Sequence, residues 1–434
     1  MGEYMKKRTL GLWSSISIGV GGMMGAGIFS ILGTASEISG NLVYVSFLIA
    51  GFIALLSAYS YAKLGVKFPS AGGPVEFLIR GFGDNIISGG LNILLWVGYV
   101  FALALYARAF GAYALTFFSG APKIWMNIIA TSIVILFTMV NFKGTKTVGN
   151  SELLIVSIKV AILIFFSFVG FFFIKPSLLS PQNFPHLSNV FFSAAIVFLA
   201  YEGFGLITNA AEDMKDPKKT LPRALYLSVL IVIAIYVGVS IVVVGNLPLP
   251  DIIKASDYAL AAAAKPFLGI IGFRLMAIAA LFSTSSAINA TLFGGANVSY
   301  IIAKKGELPK IFERRIWKGG VEGLLITSLL VIIFANAIDL SGIAMVGSSI
   351  FLLIYMGVNI GHLKVYKETG ANPKIIWLSI LGCLFSFVIL TYYIVIHSMI
   401  TLIVLVTIFF LSFLAEYVYR GYTKRALKKR IFVR

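Results

Sequence analysis

Twelve apolar runs alternate with short polar segments along the chain, at roughly 11–36, 41–68, 86–118, 124–141, 148–174, 190–213, 222–246, 267–303, 321–338, 341–366, 374–396 and 398–419. About 20 such residues are enough to cross a bilayer as a helix. The pattern therefore predicts an all-α integral membrane protein with 12 transmembrane helices in a single domain, 1–434. Two of the runs are interrupted. The first carries five glycines near mid-membrane, in Gly19-Val20-Gly21-Gly22-Met23-Met24-Gly25-Ala26-Gly27-Ile28-Phe29, where each weakens helix propensity by roughly 1 kcal/mol relative to Ala. An unwound segment is expected there. The sixth carries Ala200-Tyr201-Glu202-Gly203-Phe204-Gly205 at mid-span.

The interruptions lie five spans apart, and because five is odd the second stretch crosses the membrane in the opposite direction. This predicts a 5+5 inverted repeat: spans 1 to 5 (11–174) mirrored by spans 6 to 10 (190–366), then two additional helices (374–419) and a basic tail (420–434). Paired broken helices at corresponding positions of two halves are the best sequence pointer to a transporter's substrate site. Taken alone, the first cluster also fits a helix-packing face, since Gly21 and Gly25 have the small-xxx-small spacing. Exposed N–H groups at the start of a half-helix attract a carboxylate, and freed carbonyls at the end of the preceding half attract an ammonium. Both charges of a zwitterion could be met without charged side chains.

Composition agrees with the pattern: 59% of the 434 residues are hydrophobic and 12% charged, too little polar surface for a soluble chain. The single cysteine, Cys383, excludes intrachain disulfides. A formal charge of +18 suggests nucleic acid until it is mapped. Threaded from an inner N-terminus, nearly all of the 35 Lys and Arg fall on the inner side, and the outer loops hold only Lys123, Lys175, Lys254 and Lys265. The asymmetry predicts cytoplasmic termini and attraction to anionic membrane lipids, with no role for nucleic acid. The arm Lys6-Lys7-Arg8 imitates a signal peptide, but eleven further spans favour a retained first helix.

Three cations remain inside spans: Arg108, Lys159 and Arg274. Lys159 is the one that needs a reason. It lies about 18 Å of helix from the inner end of its run, beyond the reach of a snorkelling stem. Ionisable groups at such depth usually face a cavity or an ion pathway. A proton gained or lost there switches the side chain between a positive charge with three donors and a neutral amine. A static ion pair with Glu202 is the rival reading. Arg108 and Arg274 lie toward the outer third of their spans, where snorkelling accounts for them.

The chain resembles the amino acid–polyamine–organocation (APC) transporters, and in particular their prokaryotic, proton-coupled, broad-specificity amino-acid branch. The likeness rests on Gly22-Met23-Met24-Gly25-Ala26-Gly27-Ile28-Phe29, on Phe198-Leu199-Ala200-Tyr201-Glu202-Gly203-Phe204 continuing through Ala211 to Ala224, and on Asn289 onward to Ala303-Lys304-Lys305-Gly306-Glu307-Leu308-Pro309-Lys310. It covers essentially the whole chain and implies a LeuT-like fold with helices 1 and 6 discontinuous. By this resemblance, N–H groups around Gly25, Ala26 and Gly27 hold the substrate carboxylate, and carbonyls of Met23, Leu199 and Glu202 hold its ammonium. Ile28, Phe198 and Phe204 border the variable group. Sodium-coupled relatives place a cation between the first and eighth helices. The likeness puts the Lys159 ammonium at that position, with partners near Val20, Gly21, Ser283, Thr284 and Ser286. Many relatives have an acidic residue directly after the Gly-Phe pair, where this chain has Gly205, and Glu202 is no automatic replacement.

Catalysis finds little support: the three histidines form no H-E-x-x-H arrangement, and Gly144-Thr145-Lys146-Thr147 lacks the upstream glycine of a phosphate-binding loop. The expectation is a transporter in the cell membrane, without cofactor or metal, whose partners are an amino-acid substrate, a proton and membrane lipids. A monomer is compatible with every feature of the chain. Proton-coupled symport with a preference for neutral amino acids leads. An exchanger or sodium symporter of the same fold is the alternative, and a channel is a remote one that the broken helices disfavour.

Overall fold

A computed structural model describes residues 10–25, 27–118, 120–142, 148–316 and 320–423. The basic arm 6–8, Ala26, the loop 144–147, Lys318 and the tail from 424 onward fall outside them. The first expected span is two helices, α1 (Leu12–Met24) and α2 (Gly27–Ser39). There follow α3 (Val43–Lys67), the short α4 (Pro74–Phe82), α5 (Ile86–Leu115), α6 (Ile124–Phe142) and α7 (Val148–Phe171). The sixth span is α8 (Leu187–Val197), a 3-10 stretch Phe198–Gly205 and α9 (Leu206–Asn209). The remainder is α10 (Pro217–Asn246), α11 (Leu249–Lys254), α12 (Ala259–Lys304), α13 (Glu322–Ala337), α14 (Leu340–Thr369), α15 (Pro373–His397) and α16 (Met399–Thr423). Among the described residues the only strands are β1 (Arg315–Ile316) and β2 (Gly320–Val321), which pair antiparallel before α13.

Among the described residues, ten helical segments are long and apolar enough to cross a membrane, and α13 is a shorter apolar helix. Their ends follow local rules. Asn85 caps α5 by accepting from the N–H groups of Ile87 and Ser88, while Ser88 Oγ accepts from the Asn85 N–H. Asp339 accepts from Gly342 N at the start of α14, and Gly370 closes that helix in the left-handed region at φ +62.

Burial sorts the helices by depth in the bundle. In α5, α14 and the α8–α9 segment, 83% of the apolar window is buried, against 28% in α6, in the part of α7 from Leu154 and in α16. The first set forms the core. The second turns large apolar side chains outward, Phe168, Phe171 and Ile400 among them, as lipid-facing helices do. At the centre α1 packs on α10 and on the 3-10 stretch, while α5 packs on α12 and α14.

Several boundaries differ from the sequence reading. The helix expected at 267–303 is joined, at a kink where Gly269 leaves helical geometry (φ +63), to a second helix that starts at Ala259, so its expected start falls within a few residues of the kink. The expected tail at 420 starts inside α16, which continues to Thr423. The hydropathy pattern misses α4, whose Glu76 and Arg80 make it too polar for a span. Glycines 19, 21 and 22 stay helical within α1, and α2 begins at Gly27.

Candidate functional site

The last four carbonyls of any helix lack intrahelical partners. In α1 these belong to Gly21, Gly22, Met23 and Met24, and three of them accept hydrogen bonds from side chains on three other helices. Lys159 Nζ on α7 donates to Gly21 O at 3.1 Å. Tyr236 Oη on α10 donates to Met23 O at 2.6 Å. Ser283 Oγ on α12 donates to Met24 O at 2.8 Å. All three donors are buried, Lys159 with 2% of its surface exposed. The broken end of α1 is thus a hub joining α7, α10 and α12.

The 3-10 stretch lies against this hub. It holds the two glycines of the sixth span, and Gly203 packs so closely on α1 that a Cβ there would collide with the backbone of Gly22 and Met23. Its carbonyls also find aromatic hydroxyls. Tyr236 Oη lies 3.2 Å from Ala200 O, and Tyr355 Oη on α14 donates to Glu202 O at 2.6 Å. Tyr201 Oη reaches out to Phe47 O on α3 at 2.9 Å. Around it, Phe204 stacks on Tyr355 with ring centroids 5.0 Å apart, Phe198 meets Tyr355 edge-on and Tyr61 meets both Phe204 and Tyr355.

The site residues read from the sequence converge here. Met23, Gly25, Gly27, Ile28, Phe198, Leu199, Glu202 and Phe204 are all buried around the two breaks; Ala26 lies outside the described residues. Gly27 opens α2, whose first N–H groups have no partner within the helix. Val20 and Gly21 lie on α1 facing the core, and Gly21 supplies the carbonyl for Lys159. Ser283 serves Met24 O, Thr284 bonds to Ala280 O within its own helix, and Ser286 is half-buried on α12. The Glu202 carboxyl faces α5, with Tyr106 Oη 3.4 Å from its Oε1. No ion pair to it forms among the described residues.

Sequence reasoning missed Tyr106, Tyr236 and Tyr355. The one available signal was a phenol in mid-span, since a buried Tyr hydroxyl normally finds a partner. Arg108, expected to snorkel, turns its guanidinium to Ala335 O on α13 at 2.9 Å. Among the described residues no cluster of His, Cys, Asp or Glu is arranged to hold a metal.

A family model described as amino acid permease matches residues 10–418. The chain is 45% identical over 433 residues to MJ0609, an uncharacterized protein of Methanocaldococcus jannaschii, covering 99% of each. It is 35% identical over 372 residues to the inner membrane transport protein YbaT of Escherichia coli, covering 85% of this chain and 86% of that one. It is 26% identical over 448 residues to the branched-chain amino acid permease BcaP of Bacillus subtilis, covering 94% of each. Similarity of this extent takes in both broken helices and every element packed on them, and it makes the chain a member of the amino acid permeases of the APC superfamily, a transporter and not an enzyme.

Proposed function

We propose that this transporter carries amino acids, neutral ones by preference and of many kinds, together with a proton by alternating access, and that Lys159 binds the proton. The observation that carries the reading is the hydrogen bond from the buried Lys159 ammonium to Gly21 O. It ties α7 to the end of α1, so gain or loss of one proton changes the charge and the donors available at the junction. That supplies a two-state element that both proton and substrate can bias.

The substrate carboxylate binds the N–H groups of Gly25, Ala26 and Gly27 at the start of α2, and its ammonium binds carbonyls of Met23, Leu199 and Glu202. Met23 O and Glu202 O each already accept one tyrosine hydroxyl. A carbonyl oxygen has two lone pairs, so it can accept an ammonium as well. Ile28, Phe198 and Phe204 give the variable group apolar walls. The arrangement is that of 12 spans in a LeuT-like 5+5 repeat with both termini cytoplasmic, in the cell membrane. The 56-residue segment Leu12–Lys67 is long enough for two crossings, and α13 supplies another beyond the ten apolar segments. The monomer holds the whole site.

The test is radiolabelled amino-acid uptake in proteoliposomes under imposed pH or sodium gradients, for the parent and for Lys159→Ala. Uptake driven by the pH gradient in the parent and indifferent to it in Lys159→Ala is expected. Sodium-driven uptake insensitive to pH rejects the proton reading, and strict one-for-one counterflow without net uptake makes the protein an exchanger.

A further inference from the structure

We propose that Glu202 carries a second exchangeable proton, and that a stripe of buried polar groups on α3, α14 and α15 forms a water-filled path between it and the α14–α15 end of the bundle. The proposal deepens the transport reading, but its chemistry stands on separate groups. Glu202 is buried within the 3-10 stretch and, among the described residues, its carboxyl has one hydrogen-bonding neighbour, the Tyr106 hydroxyl at 3.4 Å. An unpaired carboxylate in such a place is costly, whereas the neutral acid can donate to a hydroxyl or a water. Its proton must still be able to leave.

The path begins beside Glu202. Tyr106 Oη lies 3.4 Å from its Oε1, Tyr355 holds its backbone carbonyl at 2.6 Å, and Tyr61 packs edge-on against Tyr355. From there two helix faces run side by side. On α3 the residues are Ser57, Ser60 and Tyr61, three and four positions apart. On α14 they are Tyr355, Asn359 and His362, at steps of four and three. Each set keeps to one face of its helix. Asn359 Nδ2 lies 3.5 Å from Ser57 Oγ, which in turn is 3.1 Å from Ser379 Oγ and 3.6 Å from Cys383 Sγ on α15. Farther along, His362 Nε2 lies 2.8 Å from Thr369 Oγ1, next to Gly370, whose carbonyl accepts from the half-buried Lys63.

Of the thirteen buried side-chain polar atoms that have no hydrogen-bond partner among the described residues, four lie on these two faces: Ser60 Oγ, Tyr61 Oη, Asn359 Oδ1 and His362 Nδ1. Buried polar groups in native proteins are almost always satisfied, and where protein does not do it ordered water does. So many on one pair of facing stripes marks a hydrated seam rather than scattered packing faults. Along such a seam the Glu202 O–H bond breaks as a water O–H forms. Each water or hydroxyl then takes a proton on one side and releases one on the other, so nothing is left changed but the carboxylate. The titratable groups along the route are Tyr61 and Lys63 on α3, Tyr99 and Tyr106 on α5, Tyr355 and His362 on α14, and Cys383 on α15.

Cys383 provides the test, because it is the only cysteine of the chain and its thiol sits in the seam. Infrared spectroscopy of the substrate-free protein in lipid, moved into heavy water, follows conversion of its S–H stretch to S–D. The seam requires conversion much faster than exchange of the slowest core amides, and Asn359→Leu should slow it roughly tenfold by replacing the central amide with hydrocarbon. A thiol band that outlasts the core amides overturns the path. For the proton itself, a trapped pH dye read against radiolabelled uptake gives protons moved per amino acid. Glu202→Gln, which keeps the backbone carbonyl, should lower that ratio; an unchanged ratio overturns the role of Glu202. If no amino acid is transported at all, the transport reading fails, yet the thiol measurement still decides the seam.

Discussion

A helix that ends in the middle of a membrane must find donors for its last carbonyls inside the protein, because hydrocarbon offers none. Lys159, Tyr236 and Ser283 are this protein's answer at Gly21, Met23 and Met24. Tyr236→Phe keeps the ring and removes the donor, leaving Met23 O and Ala200 O without the hydroxyl they share. The expected cost is about 1 to 3 kcal/mol, read as a lowered thermal midpoint in detergent relative to Tyr113→Phe, whose hydroxyl serves the carbonyl of Phe29 within the continuous part of α2. Should the two variants unfold alike, the broken end has no special demand for donors. Lys159 was legible in the sequence because a cation in an apolar run has few innocent explanations. The tyrosines were not, since a phenol in such a run reads as core until its hydroxyl is seen to reach a particular carbonyl. Asn359 and Ser57 were hidden for the same reason: isolated polar residues acquire meaning only when two helix faces are brought together.

At the level of elements, glycine was the clearest signal. The cluster from Gly19 to Gly27 implied an unwound segment; α1 remains helical through Met24 and α2 begins at Gly27. What the glycines provide there is closeness, because Gly22 meets Gly203 backbone to backbone. Sequence spacing cannot separate a glycine that frees the chain from one that admits a neighbour. Two glycines two residues apart make the distinction testable. A Cβ on Gly203 would strike the backbone of α1, whereas one on Gly205 would meet Tyr61 and Tyr355 at 3.4 and 3.6 Å, ordinary contact distances. Gly203→Ala should therefore cost roughly 1 to 3 kcal/mol or more from overpacking, seen as loss of monodisperse protein on size exclusion. Gly205→Ala should stay within about 0.5 kcal/mol of the parent. Equal tolerance at both positions would mean that the two broken segments are not in contact.

Across the whole molecule, hydropathy located nearly every long helix to within a few residues, because the bilayer demands length and apolarity whatever the packing. It could not reveal α4, a nine-residue helix whose importance lies in what it fastens. Gly81 on α4 packs against the backbone of Gly361 on α14, and Glu76 binds both Arg80 on its own helix and Lys305 just beyond α12, at 3.0 and 2.7 Å. Burial alone would raise the Glu76 carboxyl, but hydrogen bonds and charge from Lys305, and then from Arg80, outweigh it and hold the group below its usual value. A carboxyl depressed on folding adds stability that is present above the unfolded value, about 4.3 for Glu. That stability is lost as pH falls through the still lower folded value. The linkage should be worth about 1 kcal/mol, toward the upper end for a partly exposed pair. The thermal midpoints of the parent and Glu76→Gln should therefore differ by a constant amount from pH 7 to pH 5 and converge only in acid below the ordinary carboxylate range. A gap that closed between pH 7 and pH 6 would belong to another group, and one that never closed would mean Glu76 contributes through packing instead of charge.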